Sequence, residues 1–394
     1  MKAVKMKTSK IKLSSKATLK AAKTFTRRTL LKSAVAAASA AAMGPWIVRD
    51  AFSSSGNLKI MMWSDYLPDS ISQAFKDATG IHLSQSLYGS DEELLHRVKA
   101  FKGRGFDLIC PTASHMAHWR ALSLLQPWDM KRAPLDRMDQ GMLEASLKAG
   151  TWGGKAHHLP FVWGTEGLAW RTDKWFREPA DLTYGDLWSP QLKGKIMGAP
   201  NSMLLTLGLY LDRIGEVPSN RMLDSYKDED SMRGIWDKIT KFAVEHRSWV
   251  KLFWEDAEGQ ISGFKNNGVV LGQTWDGPPT RLSNGGEPVG FRAPVEGALG
   301  WLAGLSIPAG AENLDQVYEF LKFQYTPRNG AKLANTTGYA SCAAGADEFL
   351  DDKMKKKTAE VYRDGALDRL WWWPIEEPWH ATIRAEYRDK FIAA

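Results

Sequence analysis

Leu58-Lys59-Ile60-Met61-Met62, Ile71 with Phe75 and Ala78, residues 81–87, Leu94-Leu95 with Val98, and Phe106-Asp107-Leu108-Ile109-Cys110 follow in close succession, and their order decides the fold. The first piece is a short apolar strand that ends in a polar and aromatic turn, Trp63-Ser64-Asp65-Tyr66. Asp69 then caps an amphipathic helix with Ile71, Phe75 and Ala78 on one face, and Gly80 stops it. Residues 81–87 form a second strand. Ser90-Asp91-Glu92-Glu93 opens the next helix and places acids where the helix dipole favours them. The third strand, 106–110, closes at Pro111-Thr112-Ala113-Ser114. Strand, helix, strand, helix, strand implies a parallel sheet with right-handed crossovers. Ligands of such sheets sit beyond the carboxyl ends of the strands, where the turns 63–66 and 111–115 lie.

A second cycle starts at Leu159-Pro160-Phe161-Val162-Trp163. Helical patterns cover 202–213, 231–243 and 256–264. Val269-Val270-Leu271-Gly272-Gln273-Thr274 is a strand and again ends in a polar and aromatic turn, Trp275-Asp276-Gly277. Gly300-Trp301 leads into a strand over 302–307. Helices over 314–325 and 329–336 precede Gly338-Tyr339, and a last helix covers 381–391 after Trp371-Trp372-Trp373-Pro374.

The amino terminus differs in kind. Thr26-Arg27-Arg28-Thr29-Leu30-Leu31-Lys32 precedes an uncharged, alanine-rich run over 33–48 and follows a basic stretch with no acid. That order reads as a twin-arginine export signal, with 1–54 as leader and cleavage between 42 and 55. The apolar run is too short and too weakly apolar for a membrane span. Residues 1–54 hold twelve Lys/Arg and one Asp, net +11, whereas the remainder holds 40 basic and 44 acidic residues, net −4. The basic balance of the whole chain, +7, therefore belongs to the leader. The mature part shows no basic stripe with interleaved aromatics, which argues against a nucleic-acid partner. About 340 remaining residues exceed what one core supports, so two lobes are expected. The two cysteines, Cys110 and Cys342, are too few for a disulfide scaffold; whether they pair stays open.

No phosphate-binding loop, nucleophile elbow or His-Glu-x-x-His motif occurs, and no Cys/His spacing matches a metal site. His157-His158 is adjacent and reads as loop. Glu255-Asp256-Glu258 and Glu376-Glu377 are acid clusters, read as solvated helix starts rather than a glycosidase pair. The chain is therefore read as no enzyme, with no catalytic residues, cofactor or metal. Tryptophan is the compositional outlier at 18 residues, too many for core packing to be the whole account when Trp63, Trp275 and Trp301 stand at strand edges beside small or polar residues. Aromatic walls of that kind hold alkyl chains and cations.

Several segments, in order, carry a resemblance: Trp63-Ser64-Asp65-Tyr66-Leu67-Pro68, Phe106-Asp107-Leu108 with Pro111-Thr112-Ala113-Ser114, and Trp163-Gly164-Thr165. Asp186-Leu187-Trp188-Ser189-Pro190 with Leu192-Lys193-Gly194, Trp275-Asp276-Gly277, and Leu305-Ser306-Ile307-Pro308 with Gly338-Tyr339 complete the set. The chain resembles the periplasmic solute-binding proteins of ABC importers, in the spermidine/putrescine-binding branch. The resemblance implies an α/β, two-lobe periplasmic binding protein fold of type II-like form, with parallel-rich sheets, flanking helices and a ligand cleft between lobes. One lobe would be 55–163 plus 302–347, the other 164–301 plus 348–394. It also implies a periplasmic monomer that hands an organic amine to an inner-membrane ABC permease.

Carried onto this sequence, the ligand positions fall on Trp63, Ser64, Asp65, Thr112, Ser114, Trp275, Trp301 and Tyr339, with Asp276 an added candidate. Trp275 and Trp301 would flank an alkyl chain or cationic nitrogen, and Asp65 would accept from an ammonium. The chain departs from the family where polyamine binders carry acids: those positions are Ser202, Leu205 and Ala303 here. A buried ammonium needs a carboxylate partner. Beyond Asp65 and Asp276, the acids offered to fill that need are Glu166, Glu255 and Glu376. Three other readings stand beside the amine carrier: the same fold with a neutral or zwitterionic ligand, an exported enzyme with an aromatic-lined cleft, and a structural protein of the cell envelope.

Overall fold

The computed structural model describes residues 56–394, so the leader and the export route read from it lie outside the described residues. Strand Asn57–Trp63 pairs in parallel with His82–Tyr88 along its whole length and with Leu108–Ile109 on its other edge. The crossovers are the helices Asp69–Thr79 and Asp91–Ala100. Pro68, not Asp69, occupies the first cap and makes no side-chain bond there; Asp69 is instead the acid of the first turn, where the dipole favours it. Gly80 ends that helix at φ 75°, a left-handed conformation that costs glycine least. Ser90 caps the second helix by accepting from the Glu93 N–H. The third strand is shorter than the apolar run 106–110 suggests. Its free side is met by the returning chain, with Ile109 bridging Ser306 and Thr112 bridging Ala303.

The second sheet is mixed rather than parallel-rich. Its spine is one long strand, Leu159–Arg171, where the sequence suggests a short one. Trp163 is half-buried, but residues 164–170 are again buried and the strand is paired on both sides, so nothing stops it at Trp163. Leu271–Trp275, Val289–Arg292, Leu299–Leu305 and Ala340–Ser341 all run antiparallel to it. The parallel pairs sit outside: Leu271–Trp275 with Ile196–Gly198, that strand with Val250–Phe253, and Leu299–Leu305 with Trp371–Trp372.

Two large cores form, and two strands cross from one to the other. Leu159, Phe161 and Val162 pack in the first core; Leu168 and Trp170, further along the same strand, pack in the second. The adjacent strand does the reverse, with Leu299 in the second core and Trp301, Leu302 and Leu305 in the first. The first core holds the three-stranded sheet and the helices Leu314–Gln324 and Pro327–Thr337. The second is built on Pro200–Arg213, Glu229–Glu245 and the last helix, Pro378–Ala393. Cys110 and Cys342 are both buried and both free, and they serve as small apolar packing in the first core. His157 and His158 lie in a connection between strands, His157 stacked on Trp152 and His158 bonded to the Ser146 hydroxyl.

Candidate functional site

The site forms where the crossing strands meet. Trp275 lies directly opposite Glu166 across one antiparallel pair, and Trp301 lies opposite Gly164 across the other. Side chains opposite each other, and those two apart on one strand, share a face of the sheet. Trp275, Glu166 and Trp301 therefore stand side by side. Gly164 makes room for this arrangement: a Cβ there would fall 2.4 Å from Cζ2 of Trp301 and 2.7 Å from Oδ1 of Asp276.

A cavity of about 800 Å³ opens on this face. From the first core it is lined by Tyr66, residues 89–93, Thr112, Ser114 and His115. Glu166, residues 199–202, Trp254, Glu255, Trp275, Glu376 and Arg384 line it from the other side, with Trp301 between. The aromatic wall is continuous. Tyr66 stacks on Trp301 at 5.8 Å and 11°, Tyr339 meets Trp301 edge-on at 5.2 Å, and Trp275 meets Trp254 and Trp63 edge-on at 4.9 and 6.0 Å. Such ring faces suit an alkyl chain or a cation.

Of the nine residues expected to touch ligand, four line the cavity: Thr112, Ser114, Trp275 and Trp301. The other five stand behind the wall or away from it. The Trp63 indole donates to the Cys110 carbonyl at 3.0 Å and supports Trp275 from behind. Ser64 is exposed. Asp65 accepts from the Tyr339 hydroxyl at 2.7 Å and from Arg281 at 3.2 Å; burial raises its carboxyl above the usual range, with Arg281 opposing. Asp276 accepts from Lys357 at 2.8 Å and from the Tyr362 hydroxyl at 3.1 Å. Both aspartates thus have a cation of the protein's own. Thr112 is held as well: its hydroxyl donates to Asp91 at 2.7 Å.

The acids of the cavity wall fall into two kinds. Glu376 sits in a dense network: Arg384 donates to it at 2.6 and 2.9 Å, His380 lies at 2.8 Å and His115 at 3.3 Å. Burial alone would raise the Glu376 carboxyl, but the Arg384 guanidinium overrules it and holds it well below the usual range. Arg384 also reaches Glu92 at 3.3 Å, and the Glu376 N–H donates to the Ser114 carbonyl, so this network ties the two sides together.

Glu166 is the opposite case. It is 3 % exposed. One carboxyl oxygen accepts from the Ser202 hydroxyl at 3.0 Å, and the other has no hydrogen-bond partner among the described residues. Burial pushes this carboxyl up to about 8, with the Ser202 bond opposing only in part. The sequence reading offers Glu166 merely as one of three acids within reach. The signal was present: Leu159-Pro160-Phe161-Val162-Trp163-Gly164-Thr165-Glu166-Gly167-Leu168-Ala169-Trp170 is one apolar strand with a single acid in it. A lone carboxylate in such a run is costly and marks a site. Two of the acid positions that the resemblance emphasises, now Leu205 and Ala303, are fully buried core.

Comparison with known proteins bears on the family and the fold. The model of a family described as bacterial extracellular solute-binding protein matches residues 70–361. The spermidine/putrescine-binding periplasmic protein of Escherichia coli is 22 % identical over 338 residues, 84 % of this chain and 90 % of that protein. A putrescine-binding periplasmic protein of the same organism is 24 % identical over 318 residues, 76 % and 81 % of the two chains. Among solved structures, the spermidine/putrescine ABC transporter substrate-binding protein of Streptococcus pneumoniae superimposes with a TM-score of 0.67 at 21 % identity, over 86 % of this chain and 98 % of that one. That likeness is one of fold: two α/β lobes about a ligand cleft.

Proposed function

The chain belongs to the bacterial extracellular solute-binding proteins, and from that premise we propose that it captures a small organic amine of the spermidine/putrescine class for an ABC importer. The observation that carries this reading is the cavity where the two strands cross between cores, walled by Trp275, Trp301 and Tyr66 and rich in acids. The polyamine-binding names of its relatives support the ligand class.

The mechanism follows from the crossing. Ligand touching Tyr66 on one side and Glu166, Trp275 and Trp301 on the other gains its full contacts only when the two sides are together. It therefore shifts an open–closed equilibrium toward the closed form. The lobes of this reading are 55–163 plus 302–347 and 164–301 plus 348–394, with the crossing strands as hinge. An inner-membrane permease reads the closed form. The protein acts as a monomer in the periplasm, reached by the twin-arginine route, and performs no reaction on its ligand. Of the eight residues carried over by resemblance and the added Asp276, Thr112, Ser114, Trp275 and Trp301 contact ligand, Trp63, Asp65, Asp276 and Tyr339 brace them, and the exposed Ser64 does neither.

A thermal-shift screen with putrescine, spermidine, choline, betaine and amino acids tests the reading. A saturable rise in melting temperature with the primary amines, accompanied by a change in tryptophan fluorescence, is the expected result. A rise with amino acids alone would replace it with the zwitterion reading.

A further inference from the structure

Every other buried acid near this cavity has a cationic or N–H partner. Glu376 has Arg384, Asp276 has Lys357, Asp65 has Arg281, and Asp91 takes the backbone N–H and hydroxyl of Thr112. Glu166 has one neutral hydroxyl and a second oxygen with no partner among the described residues, and it stands on the cavity wall with Trp275 and Leu299 opposite it on the neighbouring strands and Trp301 diagonal to it. A buried carboxylate without a partner destabilises the fold, and removing the acid would relieve that cost. Its position fits a cation that arrives with the ligand.

We infer that Glu166 is the anion that receives the ligand's nitrogen, and that it selects a nitrogen bearing at least one N–H. The inference rests on the amine reading above and names the residue that enforces it. An orphaned carboxyl oxygen needs a donor, which a primary or secondary ammonium supplies and a quaternary nitrogen lacks. The flanking rings complete the site by stacking against the methylenes beside that nitrogen. The Trp301 ring lies over Gly164, two residues along the strand from Glu166.

Ammonium and proton compete for the same oxygen. The groups packed on Glu166 are the Ser202 hydroxyl, the Tyr184 phenol bonded to its backbone carbonyl, the two indoles and Leu299. Tyr184 is held neutral by burial, and the Asp276 carboxyl beside Gly164 is taken up at 2.8 Å by Lys357. Near neutral pH the carboxyl of the unliganded protein therefore carries a proton, and binding of an ammonium releases it to solvent.

Calorimetry on the intact protein in buffers of different ionisation enthalpy tests this, with putrescine, 4-aminobutan-1-ol and choline as probes. Wild type should bind the two primary amines, prefer them to choline, and release about one proton per amine at pH 6 and less at pH 9. Glu166→Gln should bind them at least about tenfold more weakly and release none. Its melting temperature at pH 5 should match wild type, which separates lost binding from lost folding. Equal amine affinity in Glu166→Gln, or no proton release by wild type, overturns the inference while the amine reading stands. Failure of wild type to bind any amine overturns that reading, and this inference with it.

Discussion

Glu376 and Glu166 line the same cavity at the same 3 % exposure, yet they are built in opposite ways. Around Glu376 the chain places an arginine and two histidines within 3.3 Å; beside Glu166 it places a serine and two tryptophans. Equal burial therefore does not mean equal role. A buried charge whose partners belong to the protein holds the protein together. One with no cationic partner among the described residues is poised for something else.

The largest expected effect breaks the first of these environments. Arg384→Met leaves Glu376 without its main counter-charge and should cost about 3–5 kcal/mol of stability, read from urea unfolding at pH 7. An unchanged midpoint would show that the two histidines suffice, and the contrast with Glu166 would lose its basis.

The next effect is a difference in sign. A carboxyl whose folded pKa is lowered, as in Glu376, stabilises above the unfolded value of 4.5 and loses that contribution as pH falls. A carboxyl whose folded pKa is raised, as in Glu166, holds its proton more tightly when folded. The folded protein then binds more protons than the unfolded chain between about pH 4.5 and about 8, and stability falls as pH rises through that window. Glu166→Gln should remove this loss, gaining roughly 2–4 kcal/mol over wild type at pH 8.5 and nothing at pH 4.5, in unfolding curves without ligand. Parallel curves for variant and wild type across the window would place the Glu166 titration elsewhere.

Trp275→Ala sharpens the comparison from the ligand's side. Loss of one aromatic face should weaken amine binding by about 1–2 kcal/mol, measured by calorimetry, while Glu376 and its network stay intact. Asp65→Asn is the smallest. Asp65 has Arg281 and Tyr339 and lies off the cavity, so amine affinity should change less than about twofold while stability falls by about 1 kcal/mol. A large loss of affinity in that variant would move the cation site from Glu166 toward Asp65.

Much of this was legible in the residues. The alternation of apolar strand and amphipathic helix from 58 to 110 identifies the first parallel sheet, because burial on both faces requires those apolar runs. The indoles at 275 and 301 were legible as candidates because both stand at strand edges beside small or polar residues. Glu166 was half legible: an acid inside an apolar strand marks an anomaly, but its identity as the unpartnered one depends on what the fold brings near it. The cations beside Asp65 and Asp276 were illegible for the same reason, since Arg281 and Lys357 are close to them in space yet 216 and 81 positions away in the chain.

Local order thus came from the sequence alone: strands, helices, the aromatic excess and the acidic balance of the chain beyond residue 54 are all short-range or compositional. Tertiary structure decided which charges are compensated. Compensation is a property of atoms a few ångström apart contributed by distant segments, and no periodicity records it. The long strand shows why most plainly. It carries Glu166 and Gly164 between two cores, and only the partners that pair beside it, Leu271–Trp275 and Leu299–Leu305, turn an isolated carboxyl into a site beside two rings.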